Sequence, residues 1–258
     1  MKNKIDICYL CGKNLNGNID NDHVPPKQFY AKIIRKIHNP NLFTLPTHIS
    51  CNKSYQQDED YFVNSFAPLT IGSYSGNAIW KDISKRLKRP QSKRLGLMIL
   101  EEFDKRIILP HGKIIKKFNG KRARRIIWKI TRGLFFKETG RFIPEDTPNL
   151  FKFISVNEKP PKEFFYLSST PSRGQYPGVF DYKYIDFPEI NNLHYWAMLF
   201  WDRLIVIIAF HDPNCSCKIC VPPIKHDNEN WQFQLQKISK LLRKIIYVNF
   251  KFKNKNQE

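Results

Sequence analysis

Cys8-x2-Cys11 and, further along, His48-x2-Cys51 place four soft or borderline donors near the start of this 258-residue sequence. Zinc in structural sites takes four such ligands in a tetrahedron, and a Cys-x2-Cys turn delivers two of them from one tight bend. Gly12 follows the first pair, where backbone freedom helps such a bend close. The spacing predicts a Cys3His zinc site built from Cys8, Cys11, His48 and Cys51. The plainer alternative makes His48 an ordinary histidine and Cys51 a buried thiol. Between the two pairs lies Asp22-His23, followed by Val24-Pro25-Pro26. A neutral histidine is a suitable base for activating water. A neighbouring carboxylate suits a hard cation such as Mg²⁺, which prefers oxygen. An Asp-His step alone is weak evidence, since most such pairs are surface residues.

These groups must be positioned by local structure. Adjacent side chains on a strand point to opposite faces, so Asp22 and His23 share a site only where the strand bends or ends, and the prolines supply an ending. Further on, SKRLKRPQSKR reads as a helix interrupted by Pro90, and RIILPHGKIIKKF as a hairpin around Pro110-His111-Gly112. KRARRIIWKITRGLFF carries Ile126, Ile127, Ile130 and Leu134 at helical spacing, with a basic face suited equally to phosphates or to plain solvation. FKFISV, VFDYKYIDF and the two halves of HYWAMLFWDRLIVIIAF, folded back at Asp202-Arg203, read as strands. Trp231, Leu235, Ile238, Leu242 and Ile245 repeat at helical spacing.

The formal charge is +20, and between residues 81 and 125 sixteen Lys/Arg stand against four Asp/Glu. Such an excess points to a polyanionic partner, with nucleic acid ahead of an acidic membrane. Candidate phosphate contacts are Lys85, Arg86, Lys88, Arg89, Lys116, Lys117, Lys121, Arg122, Arg124 and Arg125. A hydrophobic content of 41% argues for a folded chain. The apolar run over residues 195–210 is broken by Asp202-Arg203 and too short for a bilayer, and MKNKIDICYLCG has no signal-peptide core. Grouped cysteines without such a signal read as metal ligands in the cytoplasm.

CxxC, then DHVPP, then Asn41-Leu42, then His48-x2-Cys51-Asn52, resembles the zinc-containing branch of the HNH endonucleases. The resemblance covers about a quarter of the chain. It implies a ββα-metal module over residues 1–66, followed by a basic accessory domain over residues 67–258. The expected fold class is therefore α+β: a zinc-braced HNH module, then a larger α+β domain on an antiparallel sheet. The resemblance also implies roles. His23 matches the general base, Asp22 and Asn52 match the ligands of a catalytic Mg²⁺ or Mn²⁺, and Asn41 matches the residue that orients the base. His48 stands where most zinc-bearing relatives have cysteine, which zinc tolerates. Asp58-Glu59-Asp60 could supply an outer-sphere carboxylate but reads better as the solvated face of a helix.

A second group, His211, Cys215, Cys217 and Cys220, could bind another zinc, with reduced thiols or a redox-sensitive pair as the alternatives. The leading expectation is a divalent-metal-dependent HNH endonuclease that hydrolyses DNA, with RNA left open. One alternative is a zinc-dependent nucleic-acid-binding or assembly protein without cleavage. Another is an effector in a bacterial defence or mobile-element system, working with a protein partner.

Overall fold

The computed structural model describes residues 6–38, 41–109, 113–155, 158–174, 176, 178–188 and 192–213. The fold is mixed α+β. By internal contacts the chain divides into two units. Residues 1–146, 172–182 and 198–205 form the first, and residues 147–171, 183–197 and 206–258 the second.

In the first unit, β1 (Ile19–His23) pairs antiparallel with β2 (Thr44–His48), in a register that sets Asp22 opposite Leu45 and His23 opposite Thr44. The segment between them holds a 3-10 turn (Lys27–Phe29) and α1 (Lys32–His38). β2 runs directly into α2 (Ile49–Lys53), and α3 (Gln56–Phe66) follows. Next come α4 (Tyr74–Leu87), a turn at Pro90–Ser92 and α5 (Lys93–Glu101), so the helix breaks at Pro90 as the ring geometry requires. β3 (Phe103–Leu109) and β4 (Lys113–Lys116) pair antiparallel as expected, and the expected turn at Pro110-His111-Gly112 lies outside the described residues.

α6 (Gly120–Thr139) is capped by the Asn119 side chain, which accepts from the Arg122 N–H at 3.2 Å, and it ends at Gly140 in the left-handed region (φ 70°). Every residue from Ile126 to Phe136 is buried. A helix buried on all sides belongs in a core, and α6 packs along α3 there. Phe29 stacks on Phe62 at 5.4 Å, and the Trp201 indole N–H donates to the Phe29 carbonyl at 2.8 Å.

A four-stranded sheet is ordered β5-β8-β7-β6, from β5 (Asn149–Ser155), β6 (Phe180–Phe187), β7 (Leu193–Phe200) and β8 (Leu204–His211). The expected reversal at Asp202-Arg203 is present, with Trp201 and Asp202 both at positive φ (50° and 57°). In the second unit Phe164 and Phe187 pack on Tyr195, and His194 pairs with Asp212 at 2.7 Å. His211 ends β8 buried, and burial with the neighbouring His194 pushes its pKa down to about 4. The remaining members of the second cysteine group and the helix expected around Trp231–Ile245 lie outside the described residues. Among the described residues no helix is long and apolar enough to cross a membrane.

Candidate metal centre and histidine site

The cysteine turn is built locally. The Cys8 N–H donates to the Lys13 carbonyl at 2.9 Å, and the Gly12 N–H to the Cys8 carbonyl at 2.8 Å, with Gly12 at φ 72°. That conformation strains any residue with a Cβ, which would also meet Phe142 at 2.8 Å. β2 and α2 bring up the other pair, and the ligand atoms of Cys8, Cys11, His48 and Cys51 all lie within 4.8 Å of one another. His48 Nδ1 lies 3.4 Å from Cys11 Sγ and 3.9 Å from Cys51 Sγ. Its Nε2 lies 3.1 Å from the Asn14 carbonyl, an acceptor that fixes the proton on Nε2 and leaves Nδ1 as the donor to a metal. Burial and the neighbouring Cys8 push the Cys51 thiol up to about 12. Three thiols this close cannot all ionise without a cation among them, so the donor set fits zinc.

The second cluster is made of oxygen and one ammonium. Asp22 is 4% exposed and accepts from the Tyr9 hydroxyl at 2.5 Å. Lys129 of α6 is 1% exposed, and its Nζ lies 2.8 Å from Asp22 Oδ2, 2.5 Å from Glu59 Oε1 and 3.5 Å from Asn52 Oδ1. Gln28 donates to the other Glu59 oxygen at 3.2 Å. The Asn52 amide nitrogen donates to Asp20 at 3.0 Å. The contacts of Lys129 Nζ show that one cation position is reached by both Asp22 and Asn52. The lysine ammonium holds that position, and both Asp22 oxygens already accept hydrogen bonds, from Tyr9 and Lys129.

His23 closes β1 beside Asp22 and is half-buried. Burial and the nearby Lys27 lower its pKa, outweighing Asp22 and Asp20, so the ring is neutral at neutral pH. Asn41 lies exposed in the loop before β2, and the Phe43 carbonyl accepts the Val24 N–H at 3.0 Å.

Glu59 departs from the expected solvated acidic face. It is 7% exposed, and burial raises its pKa against the pull of Lys129. Its neighbour Asp58 is gripped by Arg122 at 2.6 Å and Arg125 at 2.7 Å. Several expected phosphate contacts are thereby engaged inside the chain. Arg125 also donates to the Ser54 carbonyl, Arg86 pairs with Asp60 at 3.3 Å, and Lys116 pairs with Glu102. Burial lowers the pKa of Arg124, while Lys85, Lys88, Arg89, Lys117 and Lys121 are exposed.

Lys129 is the site residue that sequence reasoning passed over, while Glu59 reads there only as one member of an acidic triplet on a solvated face. A signal for Lys129 existed: IIWKITRGLFF is apolar on every face except Lys129 and Arg132, and a lysine in a fully buried helix must be paired. Arg132, also buried, donates to the carbonyls of Leu10 (2.5 Å) and Ile143 (2.8 Å). No protein-family model matches the chain, and no curated protein or solved structure matches it significantly.

Proposed function

We propose that this chain is a nuclease of the HNH type that hydrolyses phosphodiester bonds in DNA, with His23 as the base. The observation that carries the reading is the convergence of Asp22 and Asn52 on one cation position beside a neutral histidine. The charge of +20 supports a nucleic-acid substrate. In the proposed step, neutral His23 accepts a proton from water, the water oxygen bonds to phosphorus, and the bond to the leaving oxygen breaks. Asp22 and Asn52 would hold Mg²⁺ or Mn²⁺, which would neutralise charge on the phosphate and the leaving oxygen. Lys129 now holds that position and, through Glu59, ties α3 and α6 to it, so its ammonium would have to move aside for the ion to bind. The Cys3His cluster braces the strand and helix that carry these groups.

The test is incubation of the purified protein with plasmid in Mg²⁺, Mn²⁺ or EDTA. We expect nicking that depends on the metal and falls by about 10²–10⁴ in His23→Ala, the usual contribution of a positioned base. Because the His23 pKa is lowered, the rate should climb with pH through a midpoint below the ordinary histidine value. Unchanged cutting by His23→Ala would dismiss the mechanism.

A second reading, a zinc-braced nucleic-acid-binding protein without cleavage, draws on one observation: both Asp22 oxygens already accept, from Tyr9 and Lys129. Binding without cutting under every metal would favour it. Cutting that appears only with an added protein would favour an effector of a defence system.

A further inference from the structure

α1 and α4 of the first unit border a half-open cavity of about 480 Å³, within the range of small-ligand sites. Its floor is aliphatic, formed by Val63, Ile79 and Ile83. Its rim is cationic: Lys32, Arg35, Lys36, Lys85 and Arg89. Asp82, a carboxylate of the lining, already accepts from the Lys32 backbone N–H at 2.6 Å. Arg35 spends its Nε on the Tyr30 carbonyl at 3.1 Å. Arg86 is held by Asp60 and by Asn64 (2.5 Å), and its buried Nε has no acceptor among the described residues. The lining begins at Gln28, which donates to Glu59, and Lys27 just before it lies close enough to His23 to affect it. One short run of chain therefore leads from the histidine into a basic cavity.

We propose that this cavity seats one or two nucleotides of a single nucleic-acid strand, next to the His23 site. Phosphates lie along the lysine and arginine rim, and a sugar or base face lies on the aliphatic floor. A duplex offers a concave site only its backbone, whereas a single strand can turn a base inward over the apolar floor while its phosphates follow the cationic rim. The proposal rests on the nuclease reading for its substrate class, and deepens it by naming the strand form and the track.

Fluorescence anisotropy in EDTA, with short labelled single strands and the matching duplex, tests it without cleavage. The variants are Lys32→Glu/Lys36→Glu, both exposed, and the charge-matched control Lys159→Glu/Lys162→Glu, also both exposed, with melting temperatures confirming the fold. We expect the wild type to prefer the single strand. The cavity pair should weaken it roughly tenfold and reduce the salt slope by about 1.4, two phosphates at about 0.7 each, while the control changes affinity less than about twofold. Equal losses in both pairs, tighter binding of duplex, or equal competition by free mononucleotide would each overturn the proposal. Single-strand binding that fails only in the cavity pair, with no cutting by any variant in Mn²⁺, would uphold the cavity and sink the nuclease reading.

Discussion

The thiol cluster and the carboxylate cluster meet at α2, which carries Cys51 and Asn52, yet they solve the problem of buried charge in opposite ways. Cys8, Cys11, His48 and Cys51 are donors alone, and as thiolates the three cysteines would need a cation from outside the chain. Asp22 and Glu59 receive theirs from α6, as the ammonium of Lys129. One helix serves both regions. Lys129 ties down the carboxylates, and Arg132, three residues on and therefore on the same helical face, ties down the carbonyls of the cysteine turn. Dependence on an outside ion would make the first region an all-or-none brace. An internal counter-ion makes the second a finely balanced one, because the desolvation of Lys129 is offset only while both carboxylates stay in place.

The largest effect should come from breaking the outside cation's hold. Structural zinc contributes on the order of 10 kcal/mol to small domains that depend on it. Cys8→Ser, or treatment with a strong chelator, is expected to remove one bound zinc, measured by elemental analysis, and to abolish the cooperative thermal transition of the first unit. A zinc-free protein with an unchanged melting curve would contradict the brace.

Next in size is the inside cation. Lys129→Met leaves Asp22 and Glu59 buried together without a counter-charge, and should cost about 3–5 kcal/mol in urea unfolding. The double variant Lys129→Met/Glu59→Gln should recover part of that loss, since one of the two stranded charges is gone. If the double variant were no better than the single, the coupling inferred from the geometry would be wrong.

A smaller effect tests how closely α6 must approach both clusters. A Cβ at Gly133 would meet Val24 at 2.8 Å and Tyr9 at 3.2 Å, between the two regions. Gly133→Ala gains helix propensity but overpacks the core, so a net loss of about 1–2 kcal/mol is expected by denaturant titration. A stabilised variant would show that the helix can shift without disturbing either cluster.

The site was legible in the sequence wherever its members were local. Cys8-x2-Cys11 and His48-x2-Cys51 are spaced by the turns that present them, and the break at Pro90 and the reversal at Asp202-Arg203 follow from the backbone preferences of single residues. The acidic triplet shows where this reading stops. In a helix three consecutive residues point in three directions, so Asp58, Glu59 and Asp60 had different fates: a half-buried double pairing with Arg122 and Arg125, burial against Lys129, and an exposed pairing with Arg86. Which direction faces a partner depends on α6, far along the chain.

By itself, then, the sequence determined the four metal donors, the Asp22-His23 step, the order of most helices and strands, and the excess of positive charge. Only the tertiary structure decided which charges are spent internally. Arg86, Lys116, Arg122, Arg125 and Lys129 look alike in a basic sequence, but each finds a carboxylate in the fold, while Lys32 and Lys36 remain on an exposed rim. The physical reason is range. Ligand spacing and backbone breaks are set over a few residues, whereas the pairing of a buried charge is set by whichever distant segment the packing of α3 against α6 brings within reach.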